Sequence, residues 1–358
     1  MYENALVHWC RAAAAGLVAA ALVSAYPAGA QSWQPEYVDG ELQPLANGFP
    51  DRPILIINVD DAGSPDGIYA RTLQEILNNE LSPQRVNVLD RPSTSFGTWE
   101  ALQFAAGEPG GDVGHALVIH TVPATALDLL TVNLEAELGM DIDDLNVVIT
   151  TEEIPYVMIS RTGAPWGESY KDMIAYAREN PGQVRYLSRE VGSAVDITME
   201  WLFDKEGVEV DKIIGGSMQE IGIAVAAGEV DVAMVFAEVA LTHFQNDKAE
   251  VLLMTGDDAI APWTDKPVMS DVIDSKDVQW GRVIGLAVPS STPDENREWL
   301  AELVRKATED ERYQERGKSL PGRALRMRSH DEAAQLARSI YELADPIVRE
   351  LGLHHEDQ

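Results

Sequence analysis

Short apolar runs alternate with helix-like segments along most of this chain, and this alternation limits the folds that it can adopt. The segment at 53–59, PILIINV, is typical of a buried strand, and the turn at 60–65 separates it from a helix that starts near Asp66. Further predicted strands lie at 86–89, 115–121, 145–150, 156–160, 184–187, 230–235, 251–254 and 283–288. Predicted helices between them include Tyr170–Glu179 and Met218–Ala227. The pattern predicts an α/β architecture with mainly parallel sheets.

The N-terminal segment is typical of a secretory signal peptide. An apolar run at 12–22 follows Arg11, and the small residues at 28–30 form a cleavage pattern, which predicts a cut after Ala30 and export to the periplasm. The run is shorter than the roughly 20 residues that a membrane span needs. The only cysteine, Cys10, precedes the run, so the sequence predicts neither a lipid anchor nor a disulfide in the exported protein.

The charge of the chain argues against several kinds of partner. The 358 residues include 59 acidic and 27 basic side chains, for a formal net charge of −32 at pH 7. Nucleic acid requires clustered Lys and Arg, and anionic lipid attracts basic segments. The sequence therefore predicts no nucleic-acid partner and no docking on an anionic membrane surface.

Catalytic signatures are missing from the sequence. It contains no G-x-S-x-G elbow, no G-x-x-x-x-G-K phosphate loop and no H-E-x-x-H zinc motif. His115 and His120 are five residues apart on a predicted strand, so their side chains point to opposite faces and do not chelate one metal together. We therefore expect a protein that is not an enzyme and that holds no metal and no cofactor.

Small-residue turns at predicted strand-to-helix junctions are the candidates for a binding site. They lie at 62–66 (AGSPD), 188–193 (SREVGS) and 215–217 (GGS). Such a turn presents free backbone N–H groups at a helix N-terminus, where the helix dipole also favours an anion. Plain helix capping is the alternative for each turn, but together the turns indicate a carboxylate site. The candidate residues are Gly63, Ser64, Asp66, Thr121 (at the end of a predicted strand), Ser188, Arg189, Gly192, Ser193 and Gly216.

Arg189 has two candidate roles within its turn. Its guanidinium can clamp one end of a dicarboxylate through two parallel N–H donors, or it can neutralise the adjacent Glu190. Glu190 would repel a carboxylate ligand unless it faces away or pairs with Arg189. The sequence alone leaves both roles open.

Several segments of the chain, taken in order, match one family of receptors. They are PILIINV with AGSPD and the Ala70-Arg71 pair, NPG at 180–182, SREVGSAVD at 188–196, GG at 215–216, GEVD at 228–231, and GLAVP at 285–289 with TP at 292–293. Over roughly 50–353 the chain resembles the substrate-binding proteins of the tripartite tricarboxylate transporter family, also called Bug receptors. It departs from their motif where Glu190 replaces a usual glycine and Asp196 replaces a usual histidine.

The resemblance implies a two-lobed periplasmic binding protein fold of the Venus flytrap type, with hinge-linked mixed sheets flanked by helices. After a signal peptide at 1–30, one lobe would combine 31–155 with 283–358, and the other would span 156–282. The lobes of such a receptor close on a small molecule that binds between them.

The resemblance also implies a function. It predicts a monomeric extracytoplasmic receptor that binds a small organic acid and delivers it to the membrane permease subunits of a transporter. One alternative is a ligand-sensing receptor that acts on a membrane signalling partner. A secreted hydrolase is a further alternative, but the sequence shows no convincing nucleophile–base pair for it.

Overall fold

A computed structural model describes residues 33–93, 96–107, 114–256, 258–273, 280–318 and 320–358. The predicted signal peptide and its cleavage site after Ala30 lie outside these ranges. Within them, every helix is too short or too polar to cross a lipid bilayer.

The described chain alternates strands and helices, as the apolar pattern predicts. Its strands are β1 (Tyr37–Val38), β2 (Glu41–Leu42), β3 (Ile54–Asn58), β4 (Val86–Asp90), β5 (Ala116–Thr121), β6 (Asn146–Ile154), β7 (Tyr156–Arg161), β8 (Arg185–Ser188), β9 (Asp211–Ile214), β10 (Val232–Phe236), β11 (Ala249–Met254), β12 (Arg282–Val288) and β13 (Ala324–Arg328). Its helices are α1 (Pro65–Ile76), α2 (Gly97–Ala106), α3 (Val122–Thr131), α4 (Leu134–Leu138), α5 (Tyr170–Glu179), α6 (Ala194–Glu206), α7 (Met218–Ala227), α8 (Ala237–Phe244), α9 (Met269–Val272), α10 (Asp294–Thr308), α11 (Glu311–Lys318) and α12 (His330–Glu350). The helices predicted at Tyr170–Glu179 and Met218–Ala227 are confirmed.

Two mixed sheets organise these elements. The six-stranded sheet has the order β13-β6-β12-β5-β3-β4, and the five-stranded sheet has the order β11-β7-β10-β8-β9. We call the parts built on them the first lobe and the second lobe. The prediction of mainly parallel sheets is wrong, because β12 runs antiparallel to β5 and β6, and β7 runs antiparallel to β10 and β11. β7 and β12 each enter their sheet directly from the other lobe and not through a helical crossover within that sheet. Nothing therefore forces them to run parallel to their neighbours.

The chain passes between the sheets at two places that lie side by side. It leaves the first lobe after Ile154 and returns to it at Arg282, and these two residues are register partners of β6 and β12. A Cβ atom at Gly281 would lie 2.6 Å from the carbonyl oxygen of Ile154, so only glycine permits this close approach. The predicted lobe limits (31–155 plus 283–358, and 156–282) stay a prediction.

Each sheet buries apolar strands beneath its helices. Ile54, Ile56 and Ile57 of β3 are fully buried, as expected of a parallel strand that is covered on both faces. α1 follows β3 directly, because Ser64 caps it by accepting a hydrogen bond from the Gly67 N–H (3.0 Å) and Pro65 supplies its first residue. Because β3 leads into the capped N-terminus of α1, polar groups lie at this edge of the sheet.

Candidate functional site

A cleft between the two lobes contains two neighbouring cavities. The smaller one has a volume of about 120 Å³ and the larger one about 490 Å³. Both are lined from the first lobe and from the second lobe, and they share the lining residues Asp60, Ser93, Arg189, Met218 and Phe236. We call the two cavities together the interlobe cleft. It is the place where residues of both lobes can contact one small molecule.

Helix N-termini from both lobes line the interlobe cleft. The residues that begin these helices are Ser64 and Asp66 for α1, Phe96–Thr98 for α2, Thr121 and Ala124 for α3, Ser193–Val195 for α6, Ser217–Gln219 for α7, and Phe236 for α8. The first N–H groups of a helix have no partner within the helix, and the dipole makes this end positive. The cleft therefore offers donors suited to an anionic group.

The helices differ in whether a side chain caps them. Ser64, Ser193 and Ser217 cap α1, α6 and α7, each hydroxyl accepting a hydrogen bond from a first-turn N–H. By contrast, α2 and α3 begin at Phe96 and Thr121 without a side-chain cap. Their first N–H groups are not used by a capping side chain. The capped turns are among the predicted site candidates, because serine signals a cap, whereas the N-terminus of α2 is not, because it follows a phenylalanine.

The structure brings together most of the predicted site residues. Asp66, Thr121, Arg189 and Ser193 line the smaller cavity, and Ser64, Arg189 and Gly216 line the larger one. The Ser193 hydroxyl is already committed, since it donates to the Glu190 carbonyl oxygen at 3.1 Å.

The other predicted residues, Gly63, Ser188 and Gly192, do not line either cavity. The Gly192 N–H donates to Asp196 Oδ2 at 2.9 Å, and Gly192 has a φ of +80°. A Cβ atom there would lie 2.8 Å from Thr131 Cγ2 on α3, so this glycine allows the second-lobe loop to approach the first lobe.

Arg189 connects the two lobes across the cleft. Its Nη2 atom donates a hydrogen bond to the Ser93 carbonyl oxygen at 3.3 Å and lies 3.4 Å from Asp60 Oδ1. Its Nε lies 3.9 Å from Glu190 Oε1 on its own loop. The guanidinium therefore lies between carboxylates of both lobes. Pairing with Glu190 is one of the predicted roles of Arg189, whereas its contact with Asp60 was not predicted.

A second arginine, Arg282, pairs with carboxylates of both lobes. Only 1% of its surface is exposed. Its Nη1 donates to Glu238 Oε1 of α8 at 2.6 Å, its Nη2 contacts the Asp66 carboxylate of α1, and the guanidinium lies 4.5 Å from the Phe236 ring centre. Because Arg282 begins β12, this ion triad sits where the chain returns to the first lobe. Sequence reasoning missed Arg282, since a lone arginine before an apolar strand carries no signal.

Carboxyl groups also line the smaller cavity. They belong to Asp60, Asp66, Asp128 and Glu190. Burial raises the pKa of Asp60 and of Glu190, and the neighbouring carboxylates add to both effects. Burial, with a further contribution from Glu190, raises the pKa of Asp128 to about 8. The sequence offered one weak signal for Asp128, which is the only charged residue of α3.

The hydroxyl of Thr98 yields a direct test of the cleft. Thr98 lies in the first turn of α2, is 8% exposed and lines the smaller cavity, and its hydroxyl has no hydrogen-bond partner among the described residues. We expect Thr98→Val, which keeps the side-chain shape, to weaken binding of a cognate acid about tenfold, because a hydrogen bond to a charged group is lost. Titration calorimetry measures the affinity.

The matched control for this prediction is Thr242→Val. Thr242 is exposed in the last turn of α8 and donates only to the Glu238 carbonyl oxygen within its helix. Thr242→Val should leave the affinity unchanged. Equal affinities for the Thr98 variant and the native protein would remove Thr98 from the site.

Two α/β lobes around a cleft lined by helix N-termini make up a fold of the two-lobed periplasmic binding protein type. Solved structures support this class. The Rhodopseudomonas palustris protein Rpa4515 with adipate has a TM-score of 0.73 at 17% identity and covers 85% of this chain and 98% of its own. MatC from the same species, with bound malate, has a TM-score of 0.69 at 18% identity and covers 84% and 100%. The periplasmic binding protein BugD has a TM-score of 0.70 at 18% identity and covers 86% and 99%.

Within that class, the family model described as tripartite tricarboxylate transporter family receptor matches residues 69–353, and the chain belongs to this family. A curated relative, the UPF0065 protein in the gbd 5' region of Cupriavidus necator, is 24% identical over 344 residues and covers 96% of each chain. The predicted family and the predicted two-lobed fold are both confirmed. The family and its structural neighbours are substrate-binding receptors rather than enzymes.

Proposed function

We propose that the protein is a periplasmic receptor that binds a small organic acid between its lobes and delivers it to a membrane permease. The observation that carries this proposal is the meeting of helix N-termini from both lobes at the interlobe cleft. The uncapped N-termini of α2 and α3 supply backbone donors for a carboxylate. Charge-assisted hydrogen bonds from such donors are about twice as strong as neutral ones.

The ligands of two structural neighbours support an acid as the bound molecule. One neighbour was solved with adipate and another with malate. A ligand that contacts both lobes makes more contacts in the closed form, so binding is expected to shift the lobes toward closure. The protein would act as a monomer, exported with removal of the signal peptide after Ala30, and without a lipid anchor.

Native mass spectrometry of freshly purified protein tests the proposal. We expect the protein to retain a small acid and to release it chemically unchanged. With that acid, small-angle scattering should show a smaller radius of gyration for the liganded protein. A retained molecule that lacks an acidic group, or recovery of an altered product, would contradict binding of an acid without catalysis.

The partner requires a separate experiment. If the protein serves a permease, deletion of its gene should abolish uptake of the retained acid by cells. Uptake that continues while a response to the acid disappears would instead support the signalling alternative.

A further inference from the structure

Two carboxyl groups, one from each lobe, border the space in which a ligand of the cleft would lie. Asp128 lies on α3 of the first lobe, and Glu190 lies in the second-lobe loop before α6. Both line the smaller cavity, which also contains the N-termini of α2 and α3. Among the described residues, no side chain or backbone group donates a hydrogen bond to either carboxyl. Both carboxyls therefore keep oxygen atoms that can accept a hydrogen bond from a ligand.

The imidazole of His120, which is 2% exposed, also lines this cavity, and its Nε2 atom is buried beside Gly285. The Thr125 hydroxyl donates its only proton to the Thr121 carbonyl oxygen at 3.0 Å, so it can only accept from His120 Nδ1, which lies 3.4 Å away. Nδ1 therefore carries the proton and Nε2 a lone pair. Nε2 has no partner in the described chain, and burial lowers the pKa of His120 to about 4, so the ring is neutral.

The arginines near the cavity do not satisfy these acceptors. Arg189 contacts Asp60 and the Ser93 carbonyl oxygen, and its Nε lies 3.9 Å from Glu190, beyond hydrogen-bond distance. Arg282 is held by Asp66 and Glu238. Among the described residues, no three potential metal ligands are grouped to hold an ion, which favours an organic cation over a metal. An ammonium group has N–H donors and a positive charge, and so matches a cavity that is lined by carboxyls from both lobes.

We propose that the ligand of this receptor is an amino acid or a similar zwitterion, with its ammonium group held between Asp128 and Glu190 and its carboxylate at the N-termini of α2 and α3. This inference rests on the proposed function, because it assigns one end of the same acid to the same cleft. Both lobes contribute a carboxyl to the ammonium group, so the cation itself links them.

A dicarboxylate is the competing ligand, and the proton balance separates the two. Asp128 faces Glu190 and Arg189, and its pKa of about 8 leaves it mostly protonated at pH 7. An arriving ammonium group favours the ionised form of Asp128, so binding should release a proton. A second carboxylate would instead require Asp128 to keep its proton as a donor, so binding would release none.

The experiment is titration calorimetry at pH 7 with pairs of acids that differ in an ammonium group. The pairs are 4-aminobutanoate with butanoate, 5-aminopentanoate with pentanoate, and glutamate with glutarate. Each titration is run in buffers of different ionisation enthalpy, which gives the number of protons released. We expect at least one amino acid to bind about tenfold or more tightly than its partner, with release of a fraction of a proton approaching one.

Two variants assign the effect to the carboxyl pair. Asp128→Asn and Glu190→Gln should each weaken binding of that amino acid about tenfold, and Asp128→Asn should also abolish the proton release. Glu135→Gln is the matched control, since Glu135 is exposed on α4 and the substitution removes the same charge. Melting temperatures close to that of the native protein show that each variant is folded.

The outcomes distinguish this inference from the proposed function. If glutarate or another simple acid binds more tightly than its amino partner, the zwitterion is excluded while the acid receptor stands. The same holds if an amino acid binds equally well to both carboxyl variants. If native mass spectrometry finds a retained molecule without a carboxylate, both the proposed function and this inference fail.

Discussion

Replacing Glu152 by glutamine is expected to lower the free energy of unfolding by about 3–5 kcal/mol. Glu152 lies on β6 and is fully buried. One carboxylate oxygen accepts from Arg316 Nη1 of α11 at 2.9 Å, and the other contacts Arg323 just before β13. Both arginines are themselves almost entirely buried. A glutamine would remove the negative charge that Arg316 and Arg323 share in this buried cluster, and the lost charge compensation is the source of the destabilisation.

Urea unfolding measures this loss, and the neighbouring residue provides the control. Glu153 follows on the same strand, but its side chain is 28% exposed and pairs with Arg328, which is also partly exposed. Because solvent screens that pair, Glu153→Gln should cost about 1 kcal/mol or less. Similar losses for the two variants would show that burial of the Glu152 cluster has no special effect on stability.

Replacing Arg282 by methionine should destabilise the protein by a comparable amount, about 3–5 kcal/mol. The substitution leaves Asp66 of the first lobe and Glu238 of the second lobe facing the same buried space without a cation. Methionine keeps an unbranched side chain against the Phe236 ring, so the loss reports charge more than packing. Urea unfolding at neutral pH measures it.

A triple variant shows whether the unpaired charges cause that loss. Asp66→Asn and Glu238→Gln, added to Arg282→Met, remove all three charges of the triad. We expect the triple variant to regain most of the stability, since replacing a whole buried ion cluster is often neutral. If the triple variant is as unstable as Arg282→Met alone, packing of the arginine side chain is the cause.

Parts of the fold with strong local signals could be predicted from the sequence. α5 and α7 agree with their predicted bounds, because each begins at a serine cap and carries apolar residues at helical spacing. β9 and β13 were missed. They are short edge strands, and their mostly exposed residues show no clear alternation. Strand direction was misjudged, since apolar runs do not encode which neighbour a strand will meet.

Three features follow from the amino-acid sequence without the structure: the alternation of strands and helices, the serine-capped turns at the cleft and the receptor family. These features depend on residues close together in the chain, where hydrogen bonding and periodicity act locally. The folded chain is needed to see that Asp128 and Glu190 share one cavity and that Arg282 joins Asp66 to Glu238. Asp66 and Arg282 are 216 positions apart, and no local pattern relates them. The charges of the site therefore depend on how the lobes pack, because burial and proximity in space set what each carboxyl can bind.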